Sequence, residues 1–330
     1  MIGPLQDQFD RKIDYMRVSV TDRCNLRCIY CMPSEGVKFI EHHEILRYEE
    51  ILRIVRVASR FGISKVRITG GEPLMRRDIV RFIASLSEVS GIEDISLTTN
   101  GVLLKLYAGD LFKAGLHRIN VSLDSLDPVK YESITRGNHL SDVWEGIEEA
   151  ERIGLKPIKI NNVPIRGFND DEILDFAILT IKKPIGVRFI EFMPIGAKEI
   201  WEERKYISTE EIKNKIRVLG DLKPVNSDRQ AGPAENYRLP GASGVIGFIS
   251  PLSNHFCSTC NRLRLTSDGK LRPCLFSESE IDLKNPIRNG CDDDEIERLL
   301  CLAVQIKPQG HRITERMPCR FQRTMSKIGG

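Results

Sequence analysis

The chain has 330 residues, of which 41% are hydrophobic and 29% are charged, and its formal net charge is +3. This length can bury a substantial core, in one large domain or in one domain with a smaller companion. The small net charge gives no reason to expect nucleic-acid binding, and no apolar stretch is long enough for a membrane span. The first residues also lack the pattern of a secretion signal, so we expect a cytoplasmic protein.

Short β-rich runs alternate with amphipathic helical runs through the first 195 residues. The predicted strands are 15–21, 65–69, 94–99, 117–123, 157–163 and 186–192. The plainest helices are 48–61, 77–90, 141–153 and 170–181, and four helical runs stop at Gly62, Gly91, Gly115 and Gly154. This alternation indicates βα units around a parallel sheet, so we predict an α/β fold of the partial (β/α)6 barrel type. A full eight-unit barrel is the alternative.

The alternation of strand and helix runs ends after about residue 195. One clear helix follows near 209–218, then a loop-rich stretch, two hairpin-like runs at 245–249 and 263–272, and a helix near 293–306. Asp268-Gly269 marks a tight turn within the second hairpin. We therefore predict a barrel over residues 1–220 and a C-terminal extension over residues 221–330.

Three cysteines lie close together in the pattern Cys24-x3-Cys28-x2-Cys31. Among nine cysteines in a protein without an export signal, such a cluster indicates metal ligation rather than disulfides. Three thiolates on a four-iron cluster leave one iron open, and an open iron can bind a small molecule and pass it an electron. A zinc site is the alternative, but its nearest further ligands, His42 and His43, lie eleven residues away.

A second cysteine set has the pattern Cys257-x2-Cys260-x13-Cys274, with the Asp268-Gly269 turn folding the third cysteine back. A zinc ribbon would need a fourth ligand, for which His255 and Cys291 are nearest. The more specific interpretation of the three cysteines is a second iron-sulfur cluster with an open iron. Of the other cysteines, Cys291, Cys301 and Cys319 follow no ligand spacing, and Cys301 is expected in the core.

Two arginines, Arg262 and Arg264, lie between the thiols of the second set, and strand alternation places them on one face. Guanidinium groups are fixed, delocalised and bidentate, so a pair of them suits phosphates. A solvated hairpin face is the alternative.

Polar motifs end several predicted strands, and barrel strands present their carboxyl ends at one mouth. The first is Thr69-Gly-Gly-Glu-Pro73, whose glycines permit close approach of a ligand and whose Glu72 could bind an amine. Further motifs are Thr98-Thr-Asn-Gly101, Asn120-Val-Ser-Leu-Asp124, Lys156-Pro-Ile-Lys159 and Phe189-Ile-Glu-Phe-Met193. Each alone could be an ordinary strand end. The Gly329-Gly330 terminus is either frayed or slender enough to enter a pocket.

Together, the two cysteine sets, the Thr69-Gly-Gly-Glu-Pro73 turn, the arginine pair and the Gly-Gly end resemble the GTP 3',8-cyclase family of molybdenum-cofactor biosynthesis. That family belongs to the radical S-adenosylmethionine (SAM) enzymes. The resemblance runs from about Asp14 to Gly330, with no departure at the ligand positions.

The resemblance implies two 4Fe–4S clusters facing each other across a partial barrel. The SAM-binding cluster would lie on Cys24, Cys28 and Cys31, and the GTP-binding cluster on Cys257, Cys260 and Cys274. Implied SAM contacts are Tyr30, Gly71, Ser122 and Met193. Implied GTP contacts are Arg17, Arg67, Thr98, Lys159, Arg262 and Arg264. A catalytic role is implied for Arg17, Arg262, Arg264, Gly329 and Gly330.

The implied reaction begins with reductive cleavage of SAM. The resulting radical abstracts the ribose 3' hydrogen of GTP, and the sugar radical attacks C8 of the guanine. The implied partners are a low-potential electron donor, the downstream cyclic pyranopterin monophosphate synthase and a second copy of the chain in a possible homodimer. Neither nucleic acid nor membrane is expected as a partner.

Two rival functions remain open at the level of sequence. A peptide-modifying radical SAM maturase would carry a longer cysteine series near the C-terminus. A non-catalytic zinc or iron-sulfur module for nucleic acid would need a basic stripe and stacking aromatics, yet only 7% of residues are aromatic.

Overall fold

One sheet organises the chain in the computed structural model, which describes residues 3–195, 201–225, 232–313 and 323–329. The strands within these ranges are β1 (Tyr15–Ser19), β2 (Lys65–Thr69), β3 (Asp94–Thr99), β4 (Arg118–Ser122), β5 (Ile158–Asn162), β6 (Gly186–Ile190), β7 (Lys223–Pro224), β8 (Glu235–Arg238), β9 (Val245–Ile249), β10 (Arg262–Leu265), β11 (Lys270–Arg272) and β12 (Ile281–Asp282). They lie side by side in the order β12-β11-β10-β1-β2-β3-β4-β5-β6-β9-β8-β7.

The six strands predicted for the βα units are confirmed to within two residues at each end. They run parallel in chain order, and β10 and β9 extend the parallel sheet at its two edges. Neither added strand is followed directly by a barrel helix, so the eight-unit barrel is not formed. The architecture is a partial (β/α)6 barrel whose C-terminal extension contributes strands to both edges of the same sheet.

The helices of the described residues are α1 (Tyr48–Arg60), α2 (Ile79–Ser87), α3 (Leu104–Lys113), α4 (Pro128–Thr135), α5 (Leu140–Arg152), α6 (Ile173–Lys182), α7 (Thr209–Ile216), α8 (Lys284–Arg288), α9 (Asp293–Gln305) and α10 (Met325–Ile328). The six helices placed by apolar spacing are confirmed. None of the helices in the described ranges has both the length and the apolar character needed to span a bilayer.

Local sequence explains the helix boundaries. Helix α4 begins at Pro128 because the Asp127 side chain accepts hydrogen bonds from the Val129 and Lys130 amides at 2.9 Å each. The four glycines predicted to stop helical runs have φ between +87° and +92°, a conformation that side chains with a Cβ rarely adopt. For α3 only the stop at Gly115 was predicted, and α4 was not predicted at all, because only a few residues of each helix face the core.

Side-chain alternation separates the two faces of the parallel strands. Apolar residues such as Val18, Ile68 and Leu97 are fully buried in the hydrophobic core. The residues between them are polar, and several are cationic. Register places Arg17 beside both Arg67 and Arg264, so the cations of neighbouring strands lie on the same face.

Candidate functional site

The polar face of the sheet borders a cavity of about 310 Å³. All six cysteines predicted as ligands line it: Cys24, Cys28, Cys31, Cys257, Cys260 and Cys274. It is also lined by Arg17, Tyr30, Arg67, Gly71, Thr98, Ser122, Met193, Arg262 and Arg264. Two predicted residues, Lys159 and Gly329, lie next to residues of this lining rather than in it. Gly330 lies outside the described residues.

The first cysteine set lies on the loop between β1 and α1. The Asp22 carboxylate accepts a hydrogen bond from the Ile40 amide at 2.6 Å, which ties the start of this loop to a residue beyond the three cysteines. Arg136, at the end of α4, donates to the carbonyl oxygens of Arg27 at 2.9 Å and Met32 at 3.1 Å. The loop backbone is therefore held from both sides before any ligand binds.

The three thiols of the first set interact electrostatically. Burial raises the pKa of Cys24 to about 11. Burial and then the neighbouring Cys24 raise the pKa of Cys31 to about 12, and burial and Cys31 raise that of Cys28. Three buried thiolates repel one another unless cations lie between them, and metal binding removes the thiol protons. This donor set fits an iron-sulfur cluster with three protein ligands.

The glycine turn after β2 packs directly on the cysteine loop. The Gly71 amide donates to the Thr21 carbonyl at 2.7 Å, and the Glu72 amide donates to the Arg23 carbonyl at 2.7 Å. A Cβ on Gly71 would lie 2.3 Å from the Arg23 carbonyl oxygen. The turn therefore needs glycine because two backbone segments meet there.

Glu72 connects the ends of two neighbouring strands. Its carboxylate is fully buried and accepts hydrogen bonds from the Leu74 amide at 3.0 Å, the Thr99 hydroxyl at 2.7 Å and the Asn100 amide at 2.6 Å. Burial raises its pKa to about 7. The side chain braces the ends of β2 and β3 and is not among those lining the cavity, whereas its neighbour Gly71 is. Binding of an amine by Glu72 stays a prediction.

Tyr30 links the cysteine loop to the end of β4. Its hydroxyl donates to the Asp124 carboxylate at 2.5 Å, and the other Asp124 oxygen accepts from the Val163 amide at 2.8 Å. Burial raises the pKa of Asp124 to about 6. This chain of contacts holds Ser122, two residues before Asp124, at the cavity wall.

The second cysteine set surrounds the start of β10. The Cys260 amide donates to the Cys257 carbonyl at 3.2 Å, and the turn at Gly269 returns β11 antiparallel to β10, as predicted, so that Cys274 reaches the cavity. Although burial opposes it, Arg262 and Lys307 lower the pKa of Cys260 to about 6. Cations thus stabilise a thiolate at this position before a metal is bound.

Zinc binding was the alternative to a cluster at the second cysteine set. One nitrogen of His255, one of His311 and the Cys257 sulfur lie within 4.8 Å of one another, so a single ion is stereochemically possible there. That set shares Cys257 with the cysteine set but includes neither Cys260 nor Cys274. Cys291 and Cys301 are half-buried and pack against the hydrophobic core, so Cys301 borders the core in which it was expected. Cys319 lies outside the described residues.

A group of cations lies close together on the polar face of the sheet. Burial and then Arg264 lower the pKa of Arg17, and burial and Arg262 lower that of Arg264 to about 10. Burial and then Arg188 lower the pKa of Lys159 to about 7. Like charges held this close are stabilised by an anion, and a triphosphate supplies several negative charges.

Sequence analysis missed one member of this group, Arg188 of β6. It is 6% exposed, lines the cavity, and donates to the Asn120 side chain at 3.1 Å. Its position between Val187 and Phe189, which are core residues, repeats the alternation seen around Arg17 and Arg67. That alternation was the signal that could have identified it.

Several buried side-chain atoms of the cavity lining have no hydrogen-bond partner among the described residues, and they include the Tyr15 hydroxyl, the Thr98 hydroxyl and the Asn161 side-chain amide oxygen. Buried polar groups are nearly always paired, so these atoms are available to a ligand. Thr98 was predicted as a GTP contact, whereas Tyr15 and Asn161 were not predicted.

The C-terminal residues enter the site. The Gly329 carbonyl accepts a hydrogen bond from Arg264 at 3.0 Å, and a Cβ on Gly329 would lie 2.6 Å from the Thr69 hydroxyl. Met325 and Ser326 line the cavity, and the Ser326 amide donates to the Cys31 sulfur. Arg323 anchors the segment by ion pairs with Asp268 and Glu280. The described part of the tail is therefore docked rather than frayed.

The parallel sheet, the three-cysteine loop and the glycine turn define a radical SAM protein. In agreement, the family model of the Radical SAM superfamily matches residues 18–179, and the family model Molybdenum Cofactor Synthesis C matches residues 185–313. The chain is 53% identical over 328 residues to the GTP 3',8-cyclase of Thermodesulfovibrio yellowstonii, covering 99% of this chain and 100% of the relative. It is 50% identical over 327 residues to the GTP 3',8-cyclase of Pelotomaculum thermopropionicum, with 99% and 100% coverage. The chain belongs to the GTP 3',8-cyclase family, whose members carry two 4Fe–4S clusters and use SAM.

Solved structures agree on the fold. Streptococcus suis SuiB bound to S-adenosylmethionine superposes with a TM-score of 0.60 at 17% identity, covering 82% of this chain and 63% of that chain. Native anSMEcpe with bound AdoMet gives a TM-score of 0.54 at 15% identity, with 81% and 77% coverage. At this level of identity, the likeness concerns the barrel and not the substrate.

Proposed function

We propose that this cavity performs the GTP 3',8-cyclase reaction, with Cys24, Cys28 and Cys31 holding the SAM-binding cluster and Cys257, Cys260 and Cys274 holding the cluster that faces GTP. The observation that carries the proposal is the convergence of both cysteine sets and the cation group on one cavity. The residues fit the two groups by donor chemistry: each set offers three thiols and leaves one iron of a four-iron cluster for a small molecule.

When bound, the reduced first cluster and SAM supply a carbon-centred radical that takes the 3' hydrogen of the GTP ribose. The chain itself orients the substrate. Arg17, Arg67, Arg262, Arg264 and Lys159 bind the triphosphate by charge-assisted hydrogen bonds, and we add Arg188 to this set. The Thr98 hydroxyl contacts the nucleotide as predicted from the sequence, and the unpaired Tyr15 and Asn161 atoms are further contacts.

SAM would occupy the part of the cavity that Tyr30, Gly71, Ser122 and Met193 line. Gly71 brings the backbone close to the cysteine loop, and Tyr30 is fixed by Asp124. Arg17, Arg262 and Arg264 hold the nucleotide while the bond between C3' and C8 forms. We assign closure of the site to the Gly329-Gly330 end, of which Gly329 accepts a hydrogen bond from Arg264. Closure excludes water and holds the reacting atoms in place.

The proposal extends to partners that the cavity chemistry requires. A low-potential electron donor must reduce the first cluster, and the cyclised nucleotide must pass to a downstream enzyme, the cyclic pyranopterin monophosphate synthase. We also propose that the protein works in the cytoplasm, where thiols stay reduced. A homodimer is a further proposal, tested by the mass of the protein in solution.

A matched pair of variants tests the assignment of the two cysteine sets. In anaerobically reconstituted protein, Cys274→Ser is expected to retain SAM binding and lose cyclised product. Cys24→Ser is expected to lose 5'-deoxyadenosine formation as well. Normal cyclisation by Cys274→Ser with full iron content would contradict the role given to the second set.

A further inference from the structure

Lys307, two residues after the end of α9, is a buried lysine next to the second cysteine set. Its exposed fraction is 2%, one of the lowest for a charged residue in the described part of the chain. The sequence analysis gave it no role, because no motif contains it. A lysine in such a position needs partners that offset the cost of removing its charge from water.

The Lys307 ammonium has three acceptors around it. It donates to the Pro273 carbonyl at 2.6 Å, to the Arg262 carbonyl at 2.8 Å and to the Cys260 sulfur at 3.6 Å. An ammonium group has three N–H donors, whereas a neutral amine has two, so the set of partners matches the charged form. One side chain thus joins Cys260 to the residue before Cys274 and to the strand that carries Arg262.

The segment after Lys307 is linked to Cys257, the remaining cysteine of the second set. Buried Arg11 donates to the Cys257 carbonyl at 2.7 Å and to the Pro308 and Gln309 carbonyls at 2.7 Å and 3.0 Å. The His311 amide donates to the Cys257 sulfur. Lys307 and the residues that follow it therefore contact, directly or through Arg11, the backbone or sulfur near every cysteine of the second set.

We propose that Lys307 is a positioning residue for the second cluster, holding Cys260 and the Cys274 segment at their spacing and placing a positive charge beside the thiolates. This inference rests on the proposed assignment of Cys257, Cys260 and Cys274 as cluster ligands. Each electron added to a cluster increases its negative charge, so a fixed cation next to a ligand sulfur favours the reduced state. Removal of the charge lowers the reduction potential.

The test uses full-length protein in which Cys24, Cys28 and Cys31 are replaced by alanine, so that iron binds only at the second set. Lys307→Met and Lys307→Gln remove the charge, and Lys307→Gln keeps amide donors for the carbonyls. Lys307→Arg keeps the charge. The matched control is Lys284→Met, because Lys284 is also a buried lysine, 6% exposed, but pairs with Glu44 away from the cavity. Iron per chain, circular dichroism and the reduction potential are measured for each.

Both uncharged variants are expected to favour the oxidised cluster at least about tenfold more than the unsubstituted protein, a potential lower by about 59 mV for one electron. A folded Lys307→Met protein that holds less iron than Lys284→Met also supports the positioning role. If Lys307→Met does not fold, Lys307→Gln and Lys307→Arg supply the comparison. If the uncharged Lys307 variants have the same reduction potential and iron content as Lys284→Met, the inference is overturned. Failure of the triple-alanine protein to bind any iron would instead overturn the assignment of the second set.

Discussion

Arg188 offers a sharp test of the phosphate site, because its removal is expected to weaken GTP binding and strengthen the fold. Burial and then Arg67 lower the pKa of Arg188 from 12.5 to about 9. The charged form is therefore less stable in the folded protein than in the unfolded chain, and this cost is fully present below about pH 9.

The magnitude follows from two opposing effects in Arg188→Met. At ~1.4 kcal/mol per pKa unit, the lowering from 12.5 to about 9 amounts to about 5 kcal/mol. Leaving the buried Asn120 amide oxygen without its donor costs about 1–3 kcal/mol, so we expect a net gain of about 2–4 kcal/mol in the free energy of unfolding. A hydrogen bond to a charged group contributes about 1.5–3 kcal/mol, so GTP affinity should fall by about 10- to 150-fold.

Anaerobic calorimetry with GTP and urea unfolding at pH 7 measure the two effects of Arg188→Met. Arg118→Met is the matched control, because Arg118 belongs to β4 of the same sheet but pairs with Asp94 and does not line the cavity. It is expected to lose stability and keep its GTP affinity. An Arg188→Met protein that is less stable and binds GTP normally would refute the reasoning.

Three further predictions concern other parts of the site. Gly71→Ala should lose iron at the first cysteine set while retaining it at the second, because the added Cβ meets the Arg23 carbonyl at 2.3 Å; equal iron at both sets would argue against this. GTP binding near pH 7 should take up a proton at Lys159, whose pKa is about 7 without the anion, and affinity should fall as the pH rises. Calorimetry in two buffers of different ionisation enthalpy tests this, and Lys159→Met should abolish the uptake. Gly329→Ala should keep GTP affinity and reduce turnover, since its Cβ would meet Thr69 at 2.6 Å; unchanged turnover would return the tail to a passive role.

Features with a local signal were predictable from the sequence. The cysteine spacings and the six βα strands depend on neighbouring residues, so pattern and resemblance located them. Pairing of β9 and β10 with the two edges of the barrel was not predictable, because it joins residues far apart in sequence. The bracing contacts of Glu72 were not predictable for the same reason, since two of its three donors come from the end of another strand.

Isolated residues were the hardest to predict. Arg188 is a single cation in a buried strand, and only comparison with the alternation in β1 and β2 would have marked it. Lys307 and Arg11 carry no motif at all, and their importance depends on which backbone carbonyls the fold brings to them. Such roles become visible only when distances are known.

The most direct test of the central claim is the fate of the ribose 3' hydrogen. Anaerobic, reconstituted protein is given dithionite, SAM and GTP carrying deuterium at C3', and the 5'-deoxyadenosine and nucleotide products are examined by mass spectrometry. We expect deuterium in the 5'-deoxyadenosine together with a cyclised guanosine triphosphate. Formation of unlabelled 5'-deoxyadenosine with intact GTP would show that the cavity generates its radical for a different substrate.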